Sequence, residues 1–112
     1  MGLEVNANKV NDVVIVKLMG NLDTNTAPDA ETDINKLLDE GAQKMIISLD
    51  QTNFVSSAGL RIFLATAKKI TASGGVLKLC GANDVVQEIL DISGFSTILD
   101  VKKTEEEALN AL

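Results

Sequence analysis

Residues 45–80 read MIISLDQTNFVSSAGLRIFLATAKKITASGGVLKLC, and the changes of period inside them decide the fold class. Met45 to Leu49 is a short apolar run ending at Asp50, the size and chemistry of a buried strand. A loop follows. Leu60, Phe63, Leu64, Ala67 and Ile70 then recur at steps of three and four, which places them on one face of an amphipathic helix. Ser73-Gly74-Gly75 stops that helix, and Val76 to Cys80 returns to a short apolar run. Strand, helix, strand at this spacing is a right-handed crossover between parallel strands.

The same alternation continues downstream. Asn83 is a helix cap ahead of Val85, Val86, Ile89 and Leu90, and Ser93-Gly94 closes that helix. Thr97 to Val101 reads as a last strand, and Thr104 with Glu107 forms a capping box before Ala108, Leu109 and Leu112. Upstream, Leu3, Val5 and Ala7 alternate with polar residues, as in a strand with one solvated face. Val13 to Met19 is a more buried strand ended by Gly20, and Asn8 to Asp12 between them reads as a hairpin turn. Thr26, Pro28 and Asp29 begin a helix carrying Ala30, Ile34, Leu37 and Leu38, which Gly41 ends. The expected fold is α/β. It is one domain over 1–112, with a mixed sheet of about five strands (an N-terminal hairpin plus βαβαβ) and about four helices. Val14, Val16, Ile34, Leu38, Ile46, Leu49, Phe63, Leu64, Val76 and Leu79 are its expected core.

Composition narrows the function. At 112 residues, 46% hydrophobic and 23% charged, the chain has the makeup of one globular domain. It has no histidine and one cysteine, which excludes Ser-His-Asp and Cys-His catalysis and any zinc site of Cys/His type within the chain. No metal or other cofactor is expected. A lone Cys80 closes no internal disulfide and reads as a small buried apolar residue. Net charge −6 and only three aromatics, Phe54, Phe63 and Phe95, argue against nucleic acid as a partner. Val13 to Val16 is as long as any uninterrupted apolar run, far short of a bilayer span, so no membrane partner is expected. Charged and polar residues soon after Met1 do not read as a signal peptide, and Asn6 fails the myristoylation pattern that Gly2 opens. The expected location is the cytoplasm.

In sheets of this kind, sites gather where strand ends turn into helices. Asp50 to Arg61 is such a place, and Ser57 is well placed to cap the helix that begins Ala58-Gly59-Leu60. The first amides of a helix lack internal partners and favour negative charge, so a phosphate on Ser57, roughly −1.5 to −2 charges, would be stabilised there. From physics alone, simple capping is the commoner role of such a Ser-Ser pair. A phosphate-cradling P-loop is excluded, because Gly59 has no second glycine or Lys-Ser/Thr pair at the required spacing. A serine-nucleophile hydrolase would need Lys44, Lys68 or Lys69 as base in place of histidine, which nothing in the pattern supports. Asp50 is a candidate for holding the loop, and Asp23 for a turn residue or a contact to the partner or to the Ser57 loop. Leu60 and Phe63 have core spacing, and Glu105 to Glu107 are a favourable first helical turn.

Asp50, then Phe54-Val55-Ser56-Ser57-Ala58-Gly59-Leu60, closely resembles the signature of bacterial anti-sigma factor antagonists, the small single-domain members of the STAS group. Gly20-x-Leu22-Asp23, Gly74-Gly75 and Leu90-Asp91-Ile92-Ser93-Gly94-Phe95 extend the resemblance over nearly the whole chain. The resemblance implies a partner-switching protein rather than an enzyme. Its unphosphorylated form would bind an anti-sigma factor or related serine kinase of the GHKL type and so release a sigma factor. That kinase would end the binding by phosphorylating Ser57, and a PP2C-type phosphatase would restore it. Where the family has Asp before that serine, this chain has Ser56, which makes Ser56 the alternative acceptor. Carried over by position, the partner-binding residues are Asp23, Ser56, Ser57, Gly59, Leu60 and Arg61. The alternative is a STAS regulatory module that acts on a non-sigma partner or binds a nucleotide.

Overall fold

The computed structural model describes residues 2–112. An antiparallel hairpin opens the chain: β1 (Leu3–Val10) and β2 (Val13–Leu22) pair from Leu3↔Gly20 to Val10↔Val13. The connection is only Asn11-Asp12, tighter than the Asn8–Asp12 turn expected. Asn11 takes φ +57°, a left-handed geometry that asparagine tolerates better than most residues. α1 (Ala27–Asp39), β3 (Lys44–Ser48), β4 (Thr52–Val55), α2 (Ser57–Ala72) and β5 (Val76–Cys80) follow. α3 (Asp84–Ile92), α4 (Phe95–Ile98), β6 (Val101–Lys102) and α5 (Glu105–Asn110) complete the chain. The sheet order is β1-β2-β3-β5-β6, and every pairing after the hairpin is parallel.

The α/β fold with one mixed sheet is as expected. Among the described residues it has six strands and five helices where about five and about four were expected, and two local causes account for the difference. The chain leaves the ladder after Ser48 and rejoins it as β4 beside Gly20–Leu22, where β2 outruns β3. Thr52 turns inward there and its buried hydroxyl donates to the Leu18 carbonyl. Gly20, expected to end the second strand, instead donates its N–H to the Gln51 carbonyl at 2.9 Å and carries β2 past it. At the other end, the first two residues of the segment read as a strand over Thr97 to Val101 belong instead to α4. Gly94 reverses the chain at φ +81°, Thr97 Oγ1 donates to the Gly94 carbonyl at 2.7 Å, and Leu99 N donates to the Phe95 carbonyl at 2.8 Å. Those local bonds outweigh β-propensity, and only Val101-Lys102 joins the sheet.

Strand alternation divides the apolar residues between two faces. Val14, Val16, Leu18, Met45, Ile47, Leu77 and Leu79 meet α1, α2 and α3 through Ala30, Ile34, Phe63, Ile70, Val86 and Leu90. Val13, Ile15, Ile46 and Cys80 face the other way under α5, through Ala108. Ile46 therefore belongs to a second, smaller core. Leu38, Leu64 and Val76, expected in the core, are only half buried, because each lies at the margin of its stripe. No helix among the described residues is long and apolar enough to cross a membrane.

Candidate functional site

At the carboxyl end of the parallel strands, two chain segments leave the sheet together. Ser56 N donates to the Leu22 carbonyl at 2.8 Å, so the turn into α2 starts beside the turn into α1. Ser56, not Ser57, is the cap. It keeps extended backbone angles (φ −86°, ψ 175°), and its Oγ accepts from Gly59 N at 3.3 Å. Ser57 is the first helical residue. It is exposed, and its hydroxyl has no hydrogen-bond partner among the described residues.

The electrostatics of this helix start differ from those of its neighbours. α1, α3 and α5 carry Asp29, Asp84 and Glu105–Glu107 in their first turns, and α2 carries no acid there. The positive end of the α2 dipole thus has no charge to balance it at the point where the Ser57 hydroxyl meets solvent.

Asp23 is held by its own turn. Its Oδ1 accepts from Asn25 N at 2.9 Å and Thr26 N at 3.1 Å, and its N–H donates to Thr26 Oγ1 at 2.9 Å. Thr26 Oγ1 also donates to the Asn21 carbonyl at 2.8 Å, so Thr26 reaches back along the loop and does not cap α1 with its side chain. Asp23 makes no hydrogen bond to the Ser57 segment among the described residues; it shapes the adjoining loop. Asp50, expected to hold the motif loop through backbone amides, instead accepts the Ser48 hydroxyl at 3.0 Å.

Gly59 and Leu60, two of the expected partner-binding residues, are buried and face inward, as the core spacing of Leu60 anticipates. A Cβ on Gly59 would lie 2.8 Å from Leu22 Cδ2 and 2.9 Å from Val55 Cγ1, so glycine lets α2 sit against β2 and β4. Leu60 is 7% exposed and belongs to the main core. Arg61 is exposed and has no ionic partner among the described residues. The structure thus brings Ser56, Ser57, Arg61 and the Asp23 turn to one end of the sheet, with Gly59 and Leu60 beneath them.

Residues that the sequence reading did not assign to this site contribute as well. Asn83 caps α3 by accepting from Val86 N at 2.8 Å, and its Nδ2 donates to the Thr52 carbonyl at 3.1 Å, which ties α3 to β4. Phe54 on β4 and Val85 in the first turn of α3 are both exposed. Thr52 and Val55 of β4 are buried while Asn53 and Phe54 between them are exposed, so Thr-Asn-Phe-Val carries no strand alternation and reads as loop in the sequence. Cys80 is buried under α5, and burial pushes its thiol up to about 11, so it offers no nucleophile at neutral pH. No group of three metal-ligating side chains occurs among the described residues.

The STAS domain model matches residues 4–108, and the chain belongs to the STAS domain family. BtrV of Bordetella bronchiseptica, named for a role as anti-sigma factor antagonist, is similar at 30% identity over 109 residues, covering 97% of this chain and 94% of that protein. An anti-sigma factor antagonist from Mycobacterium paratuberculosis has the same fold, with TM-score 0.92 at 22% identity over 98% of this chain and 93% of that one. The anti-sigma factor antagonist SpoIIAA in its unphosphorylated form gives TM-score 0.82 at 23% identity, over 96% of this chain and 95% of that one. The phosphorylated form of Bacillus SpoIIAA gives 0.74 at 22% identity, over 96% and 98%.

Proposed function

We propose that the chain is an anti-sigma factor antagonist that works by partner switching. In this reading, the unphosphorylated protein binds an anti-sigma factor that is also a serine kinase of the GHKL type, and a sigma factor is released. The kinase phosphorylates Ser57, which ends the binding, and a PP2C-type phosphatase resets the switch. The chain acts as a regulator and not as an enzyme, and its partners place its work in the cytoplasm. The observation that carries the reading is the exposed, unbonded Ser57 hydroxyl in the first turn of a helix that has no acid there. Names of relatives support the antagonist role, and the existence of SpoIIAA in two phosphorylation states supports the switch.

The chemistry requires no refolding. Helix amides stabilise the added charge where it forms, while a partner surface fitted to a neutral hydroxyl meets a dianion. A tenfold loss of affinity needs only about 1.4 kcal/mol, which one poorly paired charge at an interface supplies. The test is kinase treatment followed by peptide mass spectrometry and affinity measurement. Ser57→Ala should bind the kinase and resist phosphorylation, Ser57→Asp should bind poorly, and Ser56→Ala should still be phosphorylated. Phosphate found on Ser56 would move the acceptor. Normal binding by Ser57→Asp, with neither serine modified, would remove the switch.

A further inference from the structure

Beside Ser57, α1 and α2 enclose an open groove of about 630 Å³. Its lining combines small residues, including Ala27, Ala58 and Ala65, with two cations of α2, Arg61 and Lys68. Both cations are exposed, and neither has an ionic partner among the described residues. In a chain of net charge −6, two free cations along one groove are a local reversal of sign. They stand seven residues apart, two helical turns or roughly 10 Å along the axis. Glu31 of α1 also lines the groove, so its two walls differ in polarity.

We propose that this groove is a docking surface for an acidic amphipathic helix of a partner protein. The helix would set carboxylates two turns apart against Arg61 and Lys68 and small apolar side chains over the alanines. Alanines along both walls allow the close approach that helix packing at about 8–10 Å requires. The two cations at the ends of the α2 wall, each met by a carboxylate of the docked helix, set its register, and Glu31 sets which side faces α1.

The groove also opens toward the switch. Ala58, at one end of the groove, directly follows Ser57, and Arg61 lies one turn from Ser57 at the i, i+4 spacing that lets side chains on a helix meet. A phosphate on Ser57 therefore draws the Arg61 guanidinium to itself and adds negative charge where an acidic helix must enter. The assignment rests on the reading of Ser57 as the switch only for this coupling; the groove and its cations stand without it.

The experiment uses a synthetic amphipathic peptide of about 18 residues, with glutamates seven apart beside an alanine and leucine face, and a control in which lysine replaces those glutamates. Binding is followed by amide chemical shifts and fluorescence anisotropy. The acidic peptide should shift Ala27, Glu31, Ala58, Arg61, Ala65 and Lys68, and the lysine peptide should not bind. Arg61→Glu with Lys68→Glu should weaken the acidic peptide at least about tenfold, as should raising salt from about 50 to about 500 mM. Ser57→Asp should weaken it less when Arg61 is already Gln. No binding by the acidic peptide, shifts centred on Phe54 and Val85, or indifference to the double reversal would overturn the proposal. An anti-sigma factor bound equally well by wild type and double variant would overturn the groove and leave the proposed function standing. Groove binding with no phosphorylation of Ser57 by any kinase partner would do the reverse.

Discussion

Replacing Ser56 tests the start of α2 directly. The Ser56 cap bond to Gly59 N, at 3.3 Å, is longer than the usual 2.7–3.2 Å, so its worth belongs at the low end of the ordinary capping range, about 0.5–1 kcal/mol. In a domain of 112 residues, 1 kcal/mol moves the melting temperature by about 3–6 °C. Ser56→Ala should therefore melt about 2–5 °C lower. Ser56→Asp keeps an acceptor at the cap and adds charge at a helix start that has no acid in its first turn, a gain of about 0.3–1 kcal/mol at low salt. It should melt about 1–5 °C above wild type. The sign with pH follows from the introduced carboxyl. The dipole lowers its folded pKa below the ordinary value near 3.9, so the gain is present above that value and disappears as pH falls through the folded pKa. Thermal circular dichroism at neutral pH and again near pH 3, at low and high salt, measures each part. If Ser56→Asp melts with Ser56→Ala below wild type at neutral pH, the cap and dipole account of this site is wrong.

Phe63→Ala should cost about 3–5 kcal/mol in urea unfolding because its ring is fully buried, whereas half-buried Leu64→Ala should cost less than about 2; equal costs would refute the assigned helix face. Gly59→Ala would gain up to about 1 kcal/mol from helix propensity, but its methyl meets Leu22 and Val55 under 3 Å away and overpacking costs about 1–3, so a net loss is expected and a more stable variant would be the contrary result. Stability should fall as pH rises from 9 toward about 11, because the Cys80 thiol stays neutral in the fold while it ionises in the unfolded chain, and Cys80→Ala should flatten that part of the profile in urea titrations. Native Cys80 should also resist thiol reagents at neutral pH, and rapid labelling would contradict its burial.

The α/β alternation, the parallel pairing and the helix running from about Ala58 to the Ser73-Gly74-Gly75 stop were legible because each rests on a period carried by consecutive residues. The cap on α3 was legible for the same local reason: Asn83 stands three residues before the amide it accepts. The motif around Ser57 was legible as a strand end entering a helix, and the absence of histidine settled what chemistry could not occur there. Other features required the packed molecule. β4 is four residues long and exists only because β2 runs on past β3 and offers it a free edge, a long-range fact with no local signature. Capping by Ser56 instead of Ser57 was decided by the bond from Ser56 N to the Leu22 carbonyl, more than thirty residues away, which holds the backbone extended one residue longer. Gly59 turned inward because the approach of α2 to Leu22 and Val55 fixes the rotation of the helix, whereas Leu60 already stood on the apolar face that the helical period gives. The groove beside Ser57 is likewise a product of two helices packing, since Arg61 and Lys68 line a groove only when α1 lies alongside α2.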